Sequence, residues 1–373
     1  MNKVAILTTH RANNFGAVLQ AFSLVTKCRE LGADAEILDW RTSLFEWQYR
    51  NPWRRLSRNP IPGLCYAWRW FVYEQRSRRL FDEFRRLLPM SPQVTTKKEL
   101  ENMAERYDSF IVGSDQVWNP GQTALDPCKF DRAYLLDFVA HGQKNAYAAS
   151  IGKEAIRPPE LVPEFKRAWE TFNMITMREA AGADFVSKTI GQKIETVLDP
   201  VLLHSADFWR EQQSSLATPK DAYVLVYNVQ HYRNESQWMI AAAQRYAKGN
   251  GCRVVDVFVP SALSRWTSDS VSVGPAEFIH LIDNADAVFT NSFHAAAFCV
   301  IFKKRMYLHR SDAPTTTNTR FDTLSDVAKL SMTEVASQGG LERLFKCECT
   351  EGVESGFELM REHSIHLLDC MLR

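Results

Sequence analysis

Apolar residues along the chain fall into short continuous runs, separated by longer stretches with helical spacing. Residues 4–7 form a buried-type strand, followed by a polar turn through 8–14. From about 16 to 31, Leu19, Phe22, Leu24 and Val25 mark one side of a helix; Gly32 stops it, and 35–38 supplies the next strand. A βαβ opening of this kind predicts a parallel sheet covered by helices. Residues 110–112, 145–148, 174–176 and 194–198 continue the strand pattern. After Asp199-Pro200 the alternation restarts, with strands at 223–227, 253–259 and 287–289 and helices at 235–248, 275–282 and about 292–302.

Two such runs in 373 residues predict an α/β protein of two Rossmann-like domains facing a cleft. The N-terminal domain spans 1–205 and the C-terminal one 206–345, with 214–219 as the linker candidate. Residues 346–373 end in a helix, from about 353 to 372, expected to cross back over the domains.

One region breaks the rhythm. A helical, Arg/Trp-rich insertion occupies about 41–90 of the N-terminal domain. Within 41–86 there are eleven Arg and no Lys against four acids, a local charge of 11 − 4 = +7, with Trp47, Trp53, Trp68 and Trp70 among them. Two readings stand. Either the aromatics pack on the body while arginine stems reach water, or the insertion meets anionic headgroups or a lipid-linked acceptor at a membrane surface.

The whole chain carries a formal charge of only +1, which gives no global field for nucleic acid. No apolar stretch reaches the roughly 18 residues of a membrane span, and the N-terminal apolar run is too short for a signal peptide. The eight cysteines lack Cys-x-x-Cys spacing, and no His/Asp/Glu cluster has ligand spacing. These features predict a cytoplasmic protein without a metal or cofactor.

Candidate chemistry sits where strands end. Asn14 can cap the first helix, Gly16 allows close backbone approach, and Gln20 lies one turn on. Ser114, Asp115, Gln116, Trp118 and Asn119 follow the strand at 110–112. Such a mix suits a sugar, with an indole face for stacking and polar groups for hydroxyls. Arg178 opens a helix after another strand, where a guanidinium can grip a carboxylate or phosphate, or pair with Glu179. Asn291 or Ser292 can cap the helix at about 292–302, which puts Phe293 and His294 in its first turn.

Taken in order, these segments resemble the polysaccharide pyruvyl transferase family. The carrying residues are 14–21, 113–119, 147–152, Arg178-Glu179, 197–200 and 290–294. The resemblance implies the GT-B arrangement of two Rossmann-like domains and transfer of a pyruvyl unit from phosphoenolpyruvate onto two hydroxyls of a sugar. It implies donor binding by Arg178 and by an Arg-x-His motif, whose histidine is His294 and whose arginine position is occupied by Ser292. Phe293 falls inside that motif. Lys303, Lys304, Arg305 and Arg320 are candidates to supply the missing cation.

The activity expected is ketal formation on a surface polysaccharide or its lipid-linked precursor, with His294 as acid/base and Asp115 serving the acceptor hydroxyl. The alternatives are a GT-B glycosyltransferase using a nucleotide sugar and a non-catalytic glycan-binding protein.

Overall fold

The structure is a computed structural model of the full chain; it describes residues 2–41, 75–123, 130–139, 143–215, 219–229, 233–257, 270–311, 318–338, 342–349 and 354–373. Those within Met1–Arg50, Arg86–Leu203 and Ser355–Arg373 form one compact unit, and those within Asn51–Arg85 and His204–Glu354 form a second.

In the first unit, β1 (Lys3–Leu7) leads into α1 (Phe15–Glu30) and β2 (Asp34–Ile37). The Asn14 side chain accepts from the Ala17 N–H at the start of α1, and Gly32 leaves the helix at φ +93°. The helix α2 (Gln75–Arg85) belongs to the second unit, and α3 (Lys97–Ala104) to the first. Then come β3 (Ser109–Asp115), β4 (Lys144–Ala149), α4 (Val162–Trp169), β5 (Met174–Met177), α5 (Ala180–Ile190) and β6 (Glu195–Thr196). The sheet runs β2-β1-β3-β4-β5-β6, every pairing parallel. Its inner strands β1, β3, β4 and β5 are largely buried on both faces, which is why they read as continuous apolar runs.

The second unit adds α6 (Ala206–Glu211), β7 (Tyr223–Tyr227), α7 (Arg233–Asn250), β8 (Arg253–Val257), β9 (Ser270–Val271), α8 (Pro275–Asn284), β10 (Ala287–Thr290), α9 (Phe293–Ile301) and β11 (Met306–Ser311). These are followed by α10 (Thr319–Val327), β12 (Leu330–Gln338) and β13 (Glu342–Cys349). Its sheet runs β12-β13-β11-β10-β7-β8-β9. Strands β11, β10, β7, β8 and β9 are parallel, whereas β13 is antiparallel to both β11 and β12. That edge hairpin departs from the all-parallel expectation. Its strands carry little apolar periodicity because much of β12 is solvent-exposed.

The chain closes with α11 (Glu354–Leu372), which belongs to the first unit. Ser364 Oγ accepts from Leu198 N at 3.0 Å, and Asn2 Nδ2 donates to Leu372 O at 2.8 Å. The chain leaves the first unit after Leu203, ahead of α6; the linker candidate 214–219 falls beyond that helix, with 216–218 outside the described residues. Most of the Arg/Trp-rich insertion, 42–74, is also outside them.

Candidate functional site

The carboxyl ends of β1, β3, β4 and β5 carry one connected polar network. Gly113 adopts φ +122°, and a Cβ on it would lie 2.1 Å from the Tyr147 carbonyl oxygen, so only glycine lets β3 run this close to β4. Two residues on, Asp115 sits at φ 68°. Its Oδ2 accepts from Thr9 Oγ1 at 3.0 Å, and its Oδ1 lies 3.5 Å from Arg178 Nη1. The Asp115 backbone carbonyl accepts from the N–H groups of Val117 at 2.8 Å and Ser150 at 3.0 Å.

Arg178 is the centre of this network and is almost wholly buried. Its Nη1 donates to Asp199 Oδ2 at 2.9 Å and its Nε to Glu179 Oε1 at 3.1 Å. Burial disfavours the guanidinium's charge, but the attraction of Glu179, Asp199 and Asp115 outweighs it and raises its pKa. Asp199 and Glu179 are themselves interior, while the Asp115 side chain keeps 20% of its surface. Arg178 therefore works as an internal counterion. Of the guanidinium expected to anchor a donor, Nε and Nη1 grip protein carboxylates.

Several expected ligand contacts are also interior braces. Ser114 has no exposed surface, and its hydroxyl lies 3.0 Å from Ala148 O and 3.3 Å from Asp199 Oδ2. Gln20 is equally buried, donating from Nε2 to Thr8 Oγ1 at 2.7 Å and to Ala17 O at 2.9 Å. Gly16 is buried in the first turn of α1. Trp118, expected as a sugar platform, is a core residue: its ring packs against Trp169 with centroids 5.4 Å apart, and its Nε1 donates to Tyr134 O.

Asn14 stays half-buried at its cap. Gln116 is half-buried as well, and Asn119 Nδ2 donates to its Oε1 at 2.7 Å. A Cβ on Gly152 would come within 2.5 Å of that same oxygen.

The second unit's polar residues gather at the carboxyl ends of β7 and β10. Asn291 Nδ2 donates to Asn228 Oδ1 at 2.6 Å, and Asn291 Oδ1 accepts from Val229 N at 2.8 Å. These bonds tie the two strand ends together. Ser292 caps α9, its Oγ accepting from Ala295 N. Phe293 meets the His294 ring edge-on, with centroids 5.3 Å apart, and both are largely buried.

Of the cations considered for the missing arginine, Lys304 donates to the Asp283 carbonyl and Arg305 lies 3.9 Å from Asp286. Both acids precede β10, so these two cations lie at the amino ends of the parallel strands, opposite His294. That geometry excludes them from the histidine's surroundings. Lys303 follows α9 at φ 52°, and Arg320 opens α10 with its guanidinium 5.1 Å from the Phe321 ring centre.

A model of the polysaccharide pyruvyl transferase family matches residues 14–308. The chain belongs to that family. No curated protein matches it. Among solved structures it is similar to the UDP-GlcNAc 2-epimerase of Methanocaldococcus jannaschii, at 11% identity and TM-score 0.50, over 98% of this chain and 99% of that one. It is also similar to the UDP-N-acetylglucosamine 2-epimerase of Rickettsia bellii, at 12% identity and TM-score 0.47, over 97% and 88% of the two chains. The M. jannaschii likeness is one of fold, and with the two sheets it identifies the GT-B type, built of two Rossmann-like halves. No helix among the described residues is long and apolar enough to cross a membrane.

Sequence reasoning missed a second cluster in the first unit, formed by His10, Arg11, Asp39 and Arg41. Asp39 lies just past β2 with almost no exposed surface. His10 Nε2 lies 3.2 Å from Asp39 Oδ1, and Arg11 holds both carboxylate oxygens, with Nε 2.7 Å from Oδ1. Arg41 approaches Oδ2 from Nε at 3.2 Å and Nη2 at 3.0 Å. Burial opposes the Asp39 charge, yet the bonds from His10, Arg11 and Arg41 hold its carboxyl well below the usual carboxylate range. The available signal was His10-Arg11 directly after β1, with an acid two residues past β2.

Proposed function

We propose that this protein transfers a pyruvyl group from phosphoenolpyruvate to two hydroxyls of a sugar in a surface polysaccharide or its lipid-linked precursor. The observation that carries this reading is the family match over 14–308, which includes His294 in the first turn of α9. Protonation of the donor's methylene carbon makes C2 electrophilic, and one sugar hydroxyl adds there. The second hydroxyl displaces phosphate and closes the ketal. Of the two hydroxyl protons, one balances the new methyl group and the other leaves with phosphate.

His294 is the proposed acid/base, with Ser292, Phe293 and Arg320 on the donor side. Asp115, the outward member of the Arg178 network, receives the acceptor's proton. Arg178 acts on the reaction through Asp115, as a positioning residue. Asn14, Gln116 and Asn119 border the acceptor. Free thiols at Cys28, Cys252, Cys299, Cys347 and Cys370 support work in a reducing compartment. Contact with the membrane face through the 41–86 insertion is part of the same proposal.

A second reading, transfer from a nucleotide sugar, is favoured by Ser292, whose oxygen is engaged in capping where the family motif has an arginine. Thermal stabilisation by phosphoenolpyruvate and by a panel of nucleotide sugars separates the two. Phosphate release from phosphoenolpyruvate in the presence of acceptor, cut by about 10²–10⁴-fold in His294→Ala, supports pyruvyl transfer. Turnover near the wild-type rate in a folded His294→Ala protein sinks the assignment. Stabilisation by a nucleotide sugar alone transfers the chain to the second reading.

A further inference from the structure

The Asp39 cluster has the make-up of a binding site. Its two arginines reach one buried carboxylate from the carboxyl ends of neighbouring parallel strands, β1 and β2, the edge of an open α/β sheet where ligands settle. Both approach Asp39 through Nε and Nη2. For Arg41 this turns the Nη1 edge away from the carboxylate, and no described residue takes that edge. The side chains of Arg11 and Arg41 keep 21% and 26% of their surface, whereas Asp39 keeps 5%. Arg11 has further contacts, so the outward role falls chiefly to Arg41.

Asp39 does two things for the pair. It offsets the repulsion between two cations held close together, and it fixes long side chains that would otherwise lose rotamer freedom on binding a ligand. It stays ionised because the bonds from its three donors outweigh the cost of burial. An arginine fork braced by a carboxylate, with a far edge that no described residue takes, is suited to the paired oxygens of a carboxylate or phosphate.

We infer that Arg41, braced beside Arg11 on Asp39, is an oxyanion subsite for a carboxylate- or phosphate-bearing small molecule. The site rests on these contacts. Only the choice of phosphoenolpyruvate as its anion rests on the proposed function, and the diphosphate of a lipid-linked or nucleotide-linked sugar presents the same chemistry.

The test is calorimetric titration of the full chain with phosphoenolpyruvate and, separately, with inorganic pyrophosphate. Wild type, Arg41→Gln and Arg41→Lys are compared, with Arg79→Gln as a control for net charge. Arg79 is exposed on α2 and pairs with Glu83. Loss of a charge-assisted fork predicts binding about 10–100-fold weaker in Arg41→Gln, a smaller loss in Arg41→Lys, and none in Arg79→Gln. Melting temperatures near wild type show that the variants fold.

Weakened binding of either anion supports the subsite. If pyrophosphate alone binds in an Arg41-dependent way, the subsite stands and the phosphoenolpyruvate reading fails. Phosphoenolpyruvate binding unchanged in Arg41→Gln, with pyrophosphate binding also unchanged or absent, overturns the subsite and leaves that reading intact. Wild type binding neither anion overturns the subsite outright.

Discussion

Around Arg178, three carboxylates share one guanidinium; around Asp39, two guanidiniums share one carboxylate. Both clusters close the carboxyl ends of the same parallel sheet, and their charge balances are opposite. In the first, the single cation is the buried member and the surplus is negative, with Asp115 turned outward. In the second, the single anion is the buried member, and the arginines keep part of their surface. The position of an arginine after a strand tells that it stands at the ligand end of the sheet. Which of its edges is already taken decides whether it can serve a ligand, and that depends on partners distant in sequence: Asp115 and Asp199 for Arg178, Asp39 for Arg11.

The contrast breaks most sharply at the buried cation. Arg178→Met leaves Asp199 and Glu179 interior without their counterion, and removing one member of such a cluster costs about 3–5 kcal/mol. Urea unfolding measures it, and adding Asp199→Asn to the variant should recover part of the loss. If Arg178→Met unfolds like wild type, the guanidinium is not an internal counterion. Gly113→Ala comes next. Its Cβ would meet the Tyr147 carbonyl at 2.1 Å with φ at +122°, so backbone has to move, at a cost of about 3 kcal/mol. Because Gly113 sets up the turn that carries Asp115, the same substitution should lower acceptor-dependent turnover in whatever fraction still folds. A melting temperature within a degree of wild type would refute the close-approach argument.

Most of the parallel core was legible in the sequence, because strands buried on both faces leave unbroken apolar runs such as Val4 to Leu7 and Tyr223 to Tyr227. The edge hairpin of β12 and β13 was not, since an exposed edge does not need apolar alternation. At the candidate site, position was legible and exposure was not. Trp118 stands in the turn after β3 and Ser114 near the end of that strand, but both point inward, and a ring that packs on Trp169 looks the same in sequence as one waiting for a sugar. His10 escaped notice as one of several polar residues in the turn after β1, and Asp39 as a lone acid past β2; only the pairing of β1 with β2 makes them neighbours.

A smaller effect probes the anion-centred cluster by pH. Burial pushes the His10 imidazole below its ordinary value, against the raising pull of Asp39 and the Thr8 carbonyl. Between that lowered value and about 6.5, the unfolded chain binds a proton that the folded chain does not. Stability therefore falls as pH drops through this window, by up to about 1.4 kcal/mol per pH unit, and His10→Gln should flatten that part of the curve. His280, also pushed down by burial, adds its own slope, so the readout is the difference between wild type and variant. Asp39 stays ionised throughout the window, since its carboxyl is held far lower. A difference of opposite sign would mean that the folded protein keeps an imidazolium, donating to both Thr8 O and Asp39.

The smallest stability change should come from Arg41, and its smallness is informative. Asp39 keeps Arg11 and His10 when Arg41 is lost, so no buried charge is stranded, and Arg41 itself is partly solvated. Partly exposed ion pairs contribute roughly 0–1 kcal/mol, and Arg41→Gln should fall in that range by urea unfolding. The same variant is expected to lose most of its oxyanion affinity, so stability and binding should separate at Arg41 and not at Arg178. A loss of several kcal/mol in Arg41→Gln would make the two clusters alike, both of them structural ion networks, and would remove the physical ground for a ligand-facing arginine past the end of β2.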